Sequence, residues 1–175
     1  MSYTLNDLVN YNNVFSLDIC NKIFECLNSH NWYFGHGSHV KNNRVVGIPF
    51  WRMDLKENEF FSKYLLNMIE EKTQQQYELY DVYANGHTFG TNGSFHVDWH
   101  DERGRTFLFY SNPKWSVEWG GKTVFDLGND YYYNIPKPNS AILFPGQIPH
   151  AAEGTSRSFV GLRTTIAWKL ILKDS

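Results

Sequence analysis

The chain has 175 residues, 42% of them hydrophobic and 17% aromatic, the size and content of one ordinary domain with a sizeable core. Only 19% are charged and the formal net charge is −2, which argues against a large polyanion-binding surface and against nucleic acid as an obligate partner. No apolar run approaches the roughly 20 residues that cross a bilayer, and the N-terminal residues lack the basic segment and apolar run of a secretory signal.

Residues Ser16 to Ser29 read as a helix: Ile19, Ile23 and Leu27 repeat at spacing four, Ser16 is placed to cap, and Asp18 suits the positive helix start. Cys20 and Cys26, the only cysteines, fall in it on poorly matched faces for a bridge, so a reduced, cytoplasmic protein is expected. Residues 31–49 are rich in Gly, Asn and His and read as loop with short strands. His36 and His39 in that stretch have no carboxylate or cysteine at ligand spacing and read as exposed loop histidines. A second helix is predicted from Glu57 to Lys72, with Phe61, Tyr64, Leu65, Met68 and Ile69 as its core-facing stripe.

From Gln76 the period changes to that of strands. Tyr77–Tyr83 has strand composition and ends at the turn signal Asn85-Gly86. Further strands are predicted over Phe95–Trp99, Thr106–Ser111, Thr123–Phe125, Ser140–Phe144 and Arg163–Leu172, separated by segments rich in Gly, Asn and Pro. Tyr131-Tyr132-Tyr133 reads as edge-strand or lid aromatics. Two helices followed by seven or eight short strands predict an α+β, mainly β fold: a sandwich or jelly-roll barrel with helices on one side. The expected organisation is one domain over 1–175, with helical support and loops in 1–75 and the β core in 76–172.

His96 and Asp98 stand two apart, and on an extended strand residues i and i+2 share a face. His150 follows 52 positions after Asp98. Together they supply two imidazoles and one carboxylate, the set that binds one face of an iron(II) ion and leaves the opposite positions open. A bare His-x-Asp is a modest signal, since it also arises by chance. Arg163 and Thr165 share a strand face 13 residues after His150. A guanidinium fork with a neighbouring hydroxyl is a good carboxylate receptor, and a charge in so apolar a strand needs a partner.

The ordered set of motifs from Tyr77 to Leu170 resembles the iron(II)/2-oxoglutarate-dependent dioxygenases, and within them the prolyl 4-hydroxylase branch in a short stand-alone form. The segments are Tyr83-Ala84-Asn85-Gly86, Phe95-His96-Val97-Asp98, Thr106 to Asn112, Trp119 to Phe125, Leu143-Phe144-Pro145-Gly146 leading to His150, and Gly161 to Thr165. The resemblance implies a double-stranded β-helix of cupin-like jelly-roll type, with iron(II) held by His96, Asp98 and His150. It implies that Arg163 binds the distal carboxylate of 2-oxoglutarate with Thr165 assisting, that Tyr83 lies near the co-substrate pocket, and that Thr106 faces it. The implied reaction consumes dioxygen, converts 2-oxoglutarate to succinate and carbon dioxide, and hydroxylates a C–H bond, with ascorbate as a possible reductant. The implied substrate is a prolyl or other peptidyl residue, or a small molecule.

Lys122 stands where the family usually has an acidic residue, and Gly90–Gly93 stretch the segment before His96. Arg157 and Arg163 also have the spacing of the two arginines in oxidative nucleic-acid demethylases, but only Arg163 carries a hydroxyl residue two further on. Two other readings stay open beside the hydroxylase: a nucleic-acid dealkylase, and a non-catalytic jelly-roll module whose triad holds a structural metal.

Overall fold

The computed structural model describes residues 3–42 and 44–173. In chain order the elements are β1 (Val9–Asn12), α1 (Leu17–Leu27), β2 (Tyr33–His36), β3 (His39–Lys41), β4 (Arg44–Val46), β5 (Phe50–Asp54), α2 (Leu65–Thr73), β6 (Tyr77–His87), β7 (Gly104–Tyr110), β8 (Thr123–Asp126), β9 (Tyr131–Asn134), β10 (Ser140–Pro145), β11 (His150–Ala152) and β12 (Arg163–Leu172). Seven strands form an antiparallel sheet in the order β1-β10-β7-β12-β6-β5-β2, and β11-β8-β9 form a smaller sheet facing it; β3 and β4 pair as a hairpin.

Strand alternation divides the molecule into two apolar layers. On the outer face of the large sheet, Phe107, Phe109, Ile166, Trp168 and Leu170 pack against Ile23 and Leu27 of α1 and against Phe61, Leu65 and Ile69 of the second helical segment. On the inner face, Leu108, Tyr110 and Ala167 meet Phe125 and Leu127 around the small sheet. β12 is buried on both faces over most of its length. Its odd-numbered residues Arg163, Thr165, Ala167 and Lys169 line an internal pocket, while Ile166, Trp168 and Leu170 belong to the helix layer. Trp168 also donates from its indole Nε1 to the Phe61 carbonyl at 3.0 Å, pinning helix to sheet. This is the jelly-roll layout expected from the strand pattern.

The first helix begins where predicted, with the Ser16 hydroxyl accepting from Ile19 N at 3.4 Å and Ile23 and Leu27 buried. The second differs. Phe60–Tyr64 form a π-helical turn before α2, and the wider turn rotates the stripe: Phe61, Leu65, Leu66 and Ile69 are buried, whereas Tyr64 is 53% exposed. Asn85-Gly86 is not a turn. β6 runs through it, with Asn85 opposite Thr165 and Arg52, and Gly86 opposite Thr164 and Trp51. Gly86 is needed for approach, since a Cβ there would stand 2.7 Å from Leu162 Cδ2.

Phe95–Trp99 is not a regular strand either. It makes one antiparallel bridge, His96 to His150, and then bends. The Gly146 carbonyl accepts from both Asp98 N (2.8 Å) and Trp99 N (3.1 Å), which ends the ladder. The Trp99 ring wedges beside Gly104 and Gly146, where any Cβ would overlap it. Tyr131 and Tyr133 are exposed on β9, the edge strand predicted for them. Among the described residues no helix is long and apolar enough to cross a membrane.

Candidate metal centre and its pocket

His96 is fixed by its bridge to His150, and its Nδ1 contacts the Ser94 carbonyl at 3.0 Å. His150 opens β11, with Nδ1 2.9 Å from the Ile148 carbonyl. A carbonyl can only accept, so both Nδ1 atoms carry the proton and both Nε2 lone pairs are free to ligate. Those Nε2 atoms point at one carboxylate: His96 Nε2 lies 3.4 Å from Asp98 Oδ1, and His150 Nε2 lies 3.4 Å from Asp98 Oδ2. The three ligand atoms all fall within 4.8 Å of one another. The bend after His96 therefore keeps the convergence that a regular strand would have given.

Protonation suits a metal. Burial pushes the His150 imidazole down to about 4, against the opposing pull of Asp98, so it is a neutral ligand at pH 7. Burial is the largest single influence and would raise the Asp98 pKa, but the Lys169 ammonium, His150 and His96 together outweigh it, and the carboxyl sits well below its ordinary value. Two imidazoles and one carboxylate, with an adjoining pocket of about 280 Å³, fit a divalent iron with open positions.

Arg163, 1% exposed, lines the same pocket. Its Nε donates to the Gly121 carbonyl at 2.6 Å and its Nη2 to Thr123 Oγ1 at 3.2 Å. Its Nη1 is buried and has no hydrogen-bond partner among the described residues. Burial lowers its pKa from the usual value, with Tyr110 and Glu153 opposing. A buried guanidinium with one free edge is a receptor waiting for an anion. Gly120 and Gly121 both have positive φ (68° and 71°), which makes the turn that presents this carbonyl.

Thr165 and Tyr83 line the pocket. Thr106 does too, but its hydroxyl is committed to the metal end, donating to Asp98 Oδ2 at 2.6 Å. Arg157 lies outside the pocket lining, exposed, with its guanidinium 4.9 Å from the Phe89 ring centroid.

Sequence reasoning missed several lining residues, among them His36, Arg52, His87 and Lys169. His36 is half-buried rather than a free loop histidine, edge-on to Phe50 and Tyr83, and burial with Arg52 pushes it down to about 4. His39 is exposed as expected, with Nε2 2.8 Å from the Phe95 carbonyl. Arg52 lies 3.8 Å over the Tyr83 ring and pairs with Asp54 (2.6 Å) and Asp81 (3.0 Å). His87 is buried against Phe50, ring centroids 4.3 Å apart. Lys169 is buried with its ammonium in contact with Asp98 Oδ2. The signal for Lys169 was present, since a lysine within Trp168-Lys169-Leu170 poses the same question of a buried charge as Arg163.

A family model described as the 2OG-Fe(II) oxygenase superfamily matches residues 80–167, just over half of the chain. A comparison with curated proteins returns no match. Among solved structures, the chain is similar to a prolyl hydroxylase of Trichoplax adhaerens in complex with a hypoxia inducible factor oxygen degradation domain peptide fragment. That likeness has 17% identity and a TM-score of 0.74, covering 95% of this chain and 85% of the other. It is also similar to a Pseudomonas putida prolyl-4-hydroxylase (15% identity, TM-score 0.68, 96% and 94% covered). A third likeness is to the viral collagen prolyl hydroxylase of Paramecium Bursaria Chlorella virus-1 in its 2OG complex (13% identity, TM-score 0.61, 96% and 97% covered). At these identities the likenesses speak for the fold.

Proposed function

This chain belongs to the 2OG-Fe(II) oxygenase superfamily, and we propose that it hydroxylates an unactivated C–H bond of a prolyl or other peptidyl residue. His96, Asp98 and His150 would hold the iron, and Arg163, with the Thr165 hydroxyl on the same strand face, would take the distal carboxylate of 2-oxoglutarate. With iron(II) and 2-oxoglutarate bound, the centre supplies dioxygen activation linked to decarboxylation of the co-substrate to succinate. The protein's part is placement. Nδ1 contacts to carbonyls fix both imidazoles, and the Gly121 and Thr123 oxygens orient the guanidinium so that Nη1 is left for the ligand. The observation that carries the reading is this unpartnered buried Nη1 in the pocket of the His-Asp-His cluster. A structural metal site would have no use for a second, vacant anion receptor.

The peptidyl substrate rests on the prolyl hydroxylases among the structural likenesses. The test is succinate formation from 2-oxoglutarate with iron(II) and ascorbate, alone and against a panel of proline-containing peptides, small molecules and methylated oligonucleotides. Stimulation by peptides supports the proposal. Stimulation by oligonucleotides alone moves the assignment to a dealkylase, and binding of metal with no turnover of 2-oxoglutarate leaves only a binding module.

A further inference from the structure

Asp98 Oδ2 accepts from Thr106 Oγ1 at 2.6 Å and is also contacted by the Lys169 ammonium, which in turn donates to Thr106 Oγ1 at 3.4 Å. A carboxylate oxygen has two lone pairs, and both on Oδ2 are thereby engaged. Oδ1 is then the carboxylate oxygen that would hold a metal. Lys169 is also unusual in its charge. It places a cation, with only 10% of its side chain exposed, against a carboxylate that must itself take a divalent cation. No other carboxylate pairs with that ammonium among the described residues.

We propose that Lys169 sets the charge of this centre, weakening the metal step and strengthening the co-substrate step; this rests on the site reading under Proposed function. Two imidazoles and one carboxylate carry one negative charge, and Lys169 cancels it. A divalent metal then meets a neutral site rather than an anionic one. Once loaded, the site and the Arg163 guanidinium that shares its pocket carry three positive charges against the two negative charges of 2-oxoglutarate. Without Lys169 only two positive charges remain, and the pull on the dianion falls in a buried pocket where charge interactions are poorly screened. Lys169 thus acts through Asp98 and through the field in the pocket. It is a positioning residue and does not itself bind metal.

The experiment uses the full chain stripped of metal, as wild type, Lys169→Gln and Lys169→Met. Gln keeps an N–H for Asp98 and Met keeps only the length, so loss of charge is read in two backgrounds. Mn(II) binding is followed by the disappearance of its free-ion electron paramagnetic resonance signal, and 2-oxoglutarate binding to the Mn(II)-loaded protein by calorimetry. Removing a unit charge at this range is expected to tighten Mn(II) by about tenfold and to weaken 2-oxoglutarate by about tenfold. A purely structural lysine would weaken both. Unchanged or weaker Mn(II) binding in the variants, or undiminished affinity for 2-oxoglutarate, overturns the proposal while leaving the triad in place. A wild-type chain that binds no Mn(II) overturns the triad, and this proposal with it.

Discussion

The Gly121 carbonyl accepts the Nε–H of Arg163 at 2.6 Å, and at that distance the glycine has no room for a side chain. A Cβ on Gly121 would stand 2.8 Å from Arg163 Cδ, and the residue's φ is +71°. Gly121→Ala should therefore cost on the order of 1–3 kcal/mol in backbone strain and tilt the guanidinium away from its ligand. Thermal unfolding should show the first effect, and a raised KM for 2-oxoglutarate the second. A variant as stable and as tight for co-substrate as wild type would show that this contact does not orient Arg163.

Arg163 and Arg157 should behave oppositely. Arg163 is buried with an unpartnered Nη1, and Arg157 is exposed beside Phe89. Loss of a charge-assisted bidentate contact costs about 1.5–3 kcal/mol, or roughly 10- to 200-fold in affinity. Arg163→Ala should raise the apparent KM for 2-oxoglutarate by that range, and Arg157→Ala should leave it within about twofold. The two constants measured with one substrate decide the matter, and a larger effect at Arg157 would reverse the assignment.

The three ligand variants should differ in stability although all lose metal binding. His96→Ala and His150→Ala remove an imidazole and leave the Asp98–Lys169 pair intact. Asp98→Ala strands the Lys169 ammonium in the interior, and breaking a buried pair on one side costs about 3–5 kcal/mol. Chemical denaturation should place Asp98→Ala well below the histidine variants. The double variant Asp98→Ala/Lys169→Met should recover most of the stability and none of the Mn(II) binding.

Acid should destabilise the fold through His87. Burial, reinforced by Arg163, pushes its pKa from 6.5 to about 3, with only the Thr91 carbonyl contact opposing. Above pH 6.5 the imidazole is neutral in both folded and unfolded chains. Between pH 6.5 and about 3 the unfolded chain takes a proton that the folded one refuses, so stability falls as pH falls. The slope reaches up to about 1.4 kcal/mol per pH unit for this residue. Denaturation midpoints from pH 7 to 4 should fall less steeply in His87→Phe; equal slopes would remove His87 from the account.

Legibility in the sequence followed burial. β12 was bounded correctly because it is rich in β-branched and apolar residues and is preceded by Gly161. The His-Asp-His convergence was legible from spacing, although the strand that justified it breaks at the Gly146 carbonyl, a contact 48 residues away that no local pattern records. Asn85-Gly86 carried a true turn signal, overridden because the flanking strands β12 and β5 hold both residues in the sheet. Tyr64 was misplaced because a π-helical turn has no composition of its own. Lys169 was overlooked because a lysine inside an apolar strand reads as a surface residue until the two-residue period from Arg163 is followed.

β12 assigns its duties by parity. Odd positions face the pocket and even positions from Ile166 onward face the helix layer, so the strand is a single rule with two sets of graduations. A one-residue slip of β12 in its sheet would exchange the two sets at a stroke, sending Ile166 and Trp168 into the pocket and Arg163 and Lys169 into the apolar layer. Point substitutions along β12 can therefore be graded in their effect, whereas a slip of register is all or nothing. The connection from Gly154 to Leu162 is itself pinned, by Gly154, where a Cβ would stand 2.8 Å from the Thr88 carbonyl, and by Leu162 against Gly86, and these contacts hold the register.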